Sequence, residues 1–105
     1  MIYIYILYSM SSDKFYIGQT TDFQRRFFQH NNSNRSTYTS KHRPWTPYAL
    51  FQVLGTAGDA AKIERFIKAQ KNKSFILRIS NPETELKGNL AKLLRISIPK
   101  FRDRN

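Results

Sequence analysis

The run at residues 2–8, which reads IYIYILY, constrains the fold more than any other segment of the chain. Its β-branched and aromatic residues favour a strand, and apolar side chains occupy both faces that the strand would present. Such a strand is stable when other elements cover it on both sides, because either face would otherwise lie in water. The run therefore predicts a strand that is buried on both faces.

The segments that follow alternate between strand and helix patterns. Phe15 to Gly18 resumes strand character and is close enough to residues 2–8 to form a hairpin. Asp22 is a predicted N-cap for the next helix, and Asp59 for the one after it. A polar and basic connection covers residues 31–47. The predicted elements after the hairpin are a helix at 23–30, a strand at 48–54 and helices at 60–71, 74–79 and 83–94.

Length and composition limit the class of protein. A chain of 105 residues supports one domain, and its 40% hydrophobic content is enough for a core, which excludes global disorder. The absence of Cys excludes disulfides and thiolate metal sites. No apolar run is long enough to span a membrane and no signal sequence is evident, so the expected location is cytoplasmic. We expect a folded domain at 1–95 and a basic tail at 96–105.

The net charge of +11 indicates an anionic partner, for which nucleic acid is the commonest candidate. The excess is uneven, since residues 61–105 hold 12 basic and four acidic side chains. A solvated surface, an acidic membrane or an acidic protein are the alternatives that charge alone leaves open. The net charge does not indicate which reaction, if any, the protein catalyses.

A small set of side chains could carry chemistry. The hairpin can present Tyr5 and Tyr16 on one surface, and the helix after it can aim Arg26 and His30 at that surface. Arg binds phosphate oxygens through its planar fork, and His or Tyr can accept a proton from water. Phosphodiester hydrolysis normally also needs a carboxylate for a divalent metal, and Glu64 is the candidate. Each has a plainer interpretation: core aromatics, a histidine at a helix C-terminus, a surface ion pair.

The order and spacing of these residues resemble the GIY-YIG nuclease family. The matching elements are Tyr3-Ile4-Tyr5, Tyr16-Ile17-Gly18, Asp22-Phe23 with Arg26 and His30-Asn31, Tyr38-Thr39, Arg43-Pro44-Trp45, and Ala61 with Glu64 and Ile67-Lys68. Together they cover residues 2 to 82. The family's first motif has Gly where this chain has Tyr3. Residues 83–105 match nothing in the family's pattern.

The resemblance implies an α/β sandwich in which helices flank a three-stranded antiparallel sheet, in the order β-β-α-β-α-α. It also implies metal-dependent hydrolysis of phosphodiester bonds, usually in DNA. Tyr5 or Tyr16 would accept or relay the proton of the attacking water, and Arg26 would bind the scissile phosphate. His30 would assist in proton transfer or positioning. Glu64 would bind Mg²⁺ (or Mn²⁺), and Asn81, with Asn72 as alternative, would be the family's later asparagine.

The basic residues expected to contact nucleic acid are Arg25, Arg35, Lys41, Arg43, Lys62, Arg65 and Lys68. Because the chain has no room for a separate DNA-binding domain, target selection would come from this surface, from a homodimer or from an accessory protein. Phe23, Phe27 and Phe28 are assigned to the core. The competing hypotheses are a nucleic-acid-binding module of the same fold without catalysis and an adaptor for an acidic protein.

Overall fold

A computed structural model describes residues 1–33 and 37–98, so that Arg35 and residues 99–105 of the predicted basic tail lie outside the described part of the chain. The strands are β1 (Ile2–Ser9), β2 (Lys14–Thr20), β3 (Trp45–Val53) and β4 (Leu93–Arg95). The helices are α1 (Phe23–Asn32), α2 (Ala57–Gln70) and α3 (Lys73–Ser80). Short 3-10 helices lie at Thr39–His42 and Gly88–Leu90. None of the described helices is long and apolar enough to cross a membrane.

One antiparallel sheet organises the fold, with strand order β2-β1-β3-β4. β1 lies inside the sheet and is buried on both faces, since Ile4 and Ile6 on one face and Tyr5 and Leu7 on the other are at most 1% exposed. The prediction from IYIYILY is confirmed. The α/β sandwich is also confirmed.

The two faces of the sheet carry different helices. Ile4 and Ile6 pack with the apolar sides of α2 and α3, including Ile63 and Ile76. On the other face, Tyr5 and Leu7 pack with residues that include Phe23 of α1 and the indole of Trp45. The sheet therefore separates a purely aliphatic and aromatic core from a second cluster that contains the Tyr5 phenol.

Side-chain caps determine where the helices begin. The Asp22 carboxylate accepts a hydrogen bond from the Arg25 N–H, as predicted for an N-cap. The prediction that Asp59 is the N-cap of the second helix is wrong, although Asp59 does take part in the cap. Thr56 is the N-cap of α2, and Asp59 at the third helical position bonds back to the Thr56 N–H in a capping box.

The helix predicted at 83–94 is wrong, and the sheet has four strands where three were expected. Pro82 follows α3, and Gly88 has a positive φ of 64° that interrupts a right-handed helix. Leu93 is buried and Leu94 exposed, which is the alternation of a strand. Arg95 of β4 donates hydrogen bonds to the carbonyls of Ile79, in the last turn of α3, and of Thr84, so its side chain connects β4 to the end of α3.

Candidate active site

Tyr5 is the centre of the second cluster. It stands on β1 directly opposite Gly18 of β2, and its hydroxyl is 2.8 Å from Nε2 of His30. A Cβ atom at position 18 would collide with the Tyr5 hydroxyl and lie 2.6 Å from Cζ. Gly18 thus leaves the space into which the phenol extends, which explains a glycine inside a strand.

His30 is held in the last turn of α1 and is 4% exposed. Burial, followed by the positive charges of Arg26 and Arg43, lowers the pKa of His30 to about 4. The imidazole is therefore neutral at neutral pH. A neutral Nε2 that accepts the Tyr5 hydroxyl hydrogen fits this state, with the other ring nitrogen carrying the proton.

The Tyr5 phenol is also neutral at neutral pH. Burial, the largest cause, raises the pKa of Tyr5 to about 12, although the nearby Arg26 guanidinium acts in the opposite direction. The Arg26 guanidinium lies near the phenols of both Tyr5 and Tyr16, and its interaction with Tyr5 is the main reason that its own pKa is raised. Its Nη1 donates a hydrogen bond to Gln29 Oε1 at 3.1 Å. The Tyr16 ring centroid is 4.8 Å from that of His30. The structure therefore brings four predicted residues together.

A cleft of about 640 Å³ opens in front of this group. Tyr16, Arg25, Arg26 and His30 are among the residues that line it. Phe28 also lines it and is 63% exposed, so its assignment to the core is wrong. The cleft has the size of a small-ligand site and carries an arginine beside two phenols.

Glu64 lies on α2, on the other side of the edge strand β2. One carboxylate oxygen accepts a hydrogen bond from Gln19 Nε2 at 2.8 Å, and the other is 2.6 Å from Lys68 Nζ. Gln19 follows Gly18, and the two residues point to opposite faces of the strand. The negative charge of Glu64 is the smallest of the causes that act on the pKa of Tyr5, and Glu64 is not among the residues that line the cleft in front of Arg26.

The donor set at Glu64 suits one kind of metal. Among residues 1–33 and 37–98 there is no group of three His, Cys, Asp or Glu side chains that could enclose an ion. Mg²⁺ commonly binds through one or two carboxylates and completes its shell with water and substrate phosphates. The side chain of Glu64 is 17% exposed and is of the donor type that such an ion prefers, but its carboxylate is paired with the Lys68 ammonium.

The two candidate asparagines lie at opposite ends of α3. Asn81 follows the last residue of the helix, is exposed, and accepts a hydrogen bond from the Glu83 N–H. Asn72 caps the start of α3 and lines a second cleft with Tyr16 and Lys68. The structure therefore brings the alternative, Asn72, near the group around Tyr16 and places Asn81 elsewhere.

The predicted nucleic-acid contacts are spread over several surfaces. Lys62 and Arg65 line a cleft between α2 and the segment around Gly88, away from Tyr16. Lys41 is exposed in the 3-10 helix Thr39–His42. The Arg43 guanidinium is occupied within the protein, since it donates to the carbonyls of His30 and Ser33 at the end of α1.

Gln19 was not predicted from the sequence, and Asn31 was named only as part of the family's pattern, without a role. Gln19 holds Glu64, and the signal for it was its position directly after the Tyr16-Ile17-Gly18 motif. Asn31 exchanges two hydrogen bonds with the backbone of Trp45, which lets β3 begin at Trp45 where the sequence predicted a strand from 48. This pairing joins the end of α1 to the sheet and keeps the preceding His30 beside Tyr5.

Comparison with known proteins identifies the family of the chain. The chain belongs to the family of GIY-YIG catalytic domains, whose model matches residues 1–77, and this is a family of nuclease domains. UPF0213 protein lin0209 of Listeria innocua is 33% identical over 85 residues, which are 81% of this chain and 92% of that protein. UPF0213 protein lmo0166 of Listeria monocytogenes is 34% identical, covering 79% of this chain and 92% of that protein.

Proposed function

We propose that this chain is a metal-dependent endonuclease that hydrolyses phosphodiester bonds in DNA. The observation that supports this most is the contact network of Tyr5, Tyr16, Arg26 and His30 at the wall of an open cleft. Selection of branched, flapped or damaged DNA is part of the proposal, because phosphate contacts position a duplex without reading its sequence. A role in DNA repair or recombination would follow from such substrates.

Arg26 would bind the scissile phosphate. Arg26 and Tyr16 line the same cleft and interact electrostatically, so a phosphate bound to Arg26 there would lie next to Tyr16. The fork of an arginine can contact two phosphate oxygens at once and stabilise the charge that develops during attack.

Tyr16 is the proposed proton acceptor. It lines the cleft, whereas Tyr5 is 1% exposed and its pKa of about 12 keeps it protonated. As a phenolate, Tyr16 would take a proton from the attacking water as the new P–O bond forms. The bond to the leaving oxygen would break, and that oxygen would then take a proton from solvent water. Tyr5 and His30, which bond to each other, would position Arg26 and Tyr16.

Glu64 is the proposed ligand of the divalent ion, Mg²⁺ or Mn²⁺. An ion bound there would polarise the phosphate and ease deprotonation of the attacking water. DNA is the proposed partner, and a homodimer or an accessory protein remains the proposed means of targeting. The cytoplasmic location stays a prediction.

A second candidate is a DNA-binding module of the same fold that does not cleave. The ion pair between Lys68 and Glu64 favours it, because a lysine on the carboxylate competes with a metal ion. This candidate needs the basic surface and not Glu64.

Cleavage of a DNA panel separates the two functions. The panel would contain single-stranded, duplex, nicked, flapped and four-way DNA, with Mg²⁺, Mn²⁺ or EDTA. The nuclease proposal expects metal-dependent cleavage that Glu64→Ala abolishes and that Glu85→Ala, which alters an exposed carboxylate elsewhere, preserves. Salt-sensitive binding without cleavage, unchanged in Glu64→Ala, would support the binding module and refute the nuclease.

A further inference from the structure

A second cleft, of about 600 Å³, lies on the other side of Tyr16. Tyr16 and Tyr38 line both clefts, so these two rings, whose centroids are 6.4 Å apart, form the boundary between them. The first cleft contains Arg26. The second continues the surface from Tyr16 toward the turn between α2 and α3.

Four lysines line this second cleft. Lys14 comes from the start of β2, Lys68 from the last turn of α2, and Lys71 and Lys73 flank the turn into α3. Residues more than fifty positions apart in sequence are thus gathered on one surface, which is why only Lys68 was recognised from the sequence. The acidic residue of the cleft is Asp13.

Two of these lysines are not neutralised within the described part of the chain. Lys73 forms an ion pair with Asp13, and Lys68 with Glu64, both at 2.6 Å. Within residues 1–33 and 37–98, Lys14 and Lys71 form no ion pair, and both are exposed. Four lysines face Asp13 and Glu64, so the surface keeps a net positive charge, and an anionic ligand in the cleft reduces the remaining repulsion.

We infer that this second cleft, which we call the lysine cleft, binds the DNA backbone next to the scissile phosphate. The inference rests on the proposed function, since it takes Arg26 as the position of the cleaved phosphate. A strand that leaves Arg26 past Tyr16 enters the lysine cleft, where Lys14 and Lys71 contact its phosphates. The substrate therefore extends over β2 and the turn between α2 and α3.

The salt dependence of DNA binding tests this inference. Each phosphate contact on duplex DNA contributes about −0.9 to the slope of log K against log salt. Binding of a fluorescein-labelled forked duplex would be measured by anisotropy in EDTA, which prevents metal-dependent cleavage, between about 50 and 200 mM salt. The variants are Lys14→Gln and Lys71→Asn, the latter because Asn tolerates the left-handed backbone at this position, where φ is 47°. The matched control is Lys87→Gln, an exposed lysine outside both clefts.

The inference expects Lys14→Gln and Lys71→Asn each to reduce the magnitude of the slope by about 0.9, and the control to change it much less. If both variants match Lys87→Gln while the unaltered protein binds and cleaves DNA, the lysine cleft is not a backbone site and the proposed function stands. If the unaltered protein neither binds nor cleaves DNA, the proposed function fails and this inference fails with it.

Discussion

Replacement of Gly18 by Ala is expected to damage the site from a position that carries no functional group. The added Cβ would collide with the Tyr5 hydroxyl and lie 2.6 Å from Cζ, which is shorter than real Cβ contacts. The Tyr5 ring is enclosed by neighbours, with the Phe23 centroid 5.6 Å and the Tyr16 centroid 6.3 Å away. The ring can therefore escape only by moving its neighbours or the two strands.

Two costs contribute to the expected loss of stability. Overpacking of a filled core costs about 1–3 kcal/mol. If the phenol moves away from His30, the loss of a buried hydrogen bond adds about 1–3 kcal/mol. We expect Gly18→Ala to lower the free energy of unfolding by about 2–6 kcal/mol, which for a domain of this size lowers the Tm by roughly 10–30 °C. Arg26 would lose its alignment, so cleavage should fall as well.

Urea unfolding of Gly18→Ala beside Gly58→Ala measures this loss. At Gly58, in the first turn of α2, the nearest atom to an added Cβ is 3.6 Å away, which is an ordinary contact. The control should therefore be neutral or up to about 1 kcal/mol more stable, because Ala restricts the unfolded chain. If Gly18→Ala unfolds within about 0.5 kcal/mol of the unaltered protein and still cleaves DNA, Tyr5 does not fill the space above Gly18.

Three further results are expected. First, because the pKa of His30 is about 4 in the folded protein and about 6.5 unfolded, acid favours the unfolded state. His30 therefore does not reduce the free energy of unfolding above pH 6.5, and it reduces it by about 3 kcal/mol as the pH falls toward 4. Urea titrations at several pH values should show this loss in the unaltered protein and not in His30→Gln. Second, Tyr16→Phe should slow cleavage at least about a hundredfold, with DNA affinity retained, while Tyr48→Phe leaves the rate unchanged. Third, Arg43→Ala should cost about 1–3 kcal/mol of unfolding free energy, because two carbonyls at the end of α1 lose their donor, whereas Lys41→Ala costs little.

Each of these results has a clear contradiction. Equal acid sensitivity of the unaltered protein and His30→Gln would mean that His30 is not buried in its neutral form. Normal cleavage by Tyr16→Phe would assign the proton acceptor to another group. If Arg43→Ala is as stable as Lys41→Ala and loses DNA affinity, then Arg43 contacts DNA, as the sequence predicted, and does not fasten α1.

The sequence predicts correctly those elements for which residue propensity, apolar pattern and capping residues all favour the same structure. In β1, strand propensity and double-sided apolarity give the same answer, and at α1 the Asp22 cap agrees with the spacing of Phe23 and Phe27. The segment after Pro82 gives no such agreement. Its apolar spacing favours a helix, whereas Gly88 and the pairing of Leu93 with Val53 of β3 favour a turn followed by a strand. Pairing between strands that are distant in sequence cannot be recognised from the local sequence.

The candidate site divides in the same way. Tyr5, Tyr16, Arg26 and His30 could be placed together because they come from one hairpin and the helix after it. The sequence could not decide whether Asn72 or Asn81 lies near the candidate site, because the answer depends on which end of α3 lies near Tyr16. The lysine cleft could not be found because it joins residue 14 to residues 68–73 through the packing of α2 on the hairpin.

The most direct test of the central claim is the single-turnover rate of DNA cleavage in Arg26→Ala, Glu64→Ala and the double variant, with Glu85→Ala as control. Residues that act in one transition state have strongly non-additive effects. We predict that each single variant loses at least about a hundredfold in rate, that the double variant is little worse than either, and that the control cleaves normally. Cleavage by Glu64→Ala or by the double variant at the rate of the unaltered protein would contradict the claim that these residues form a nuclease active site.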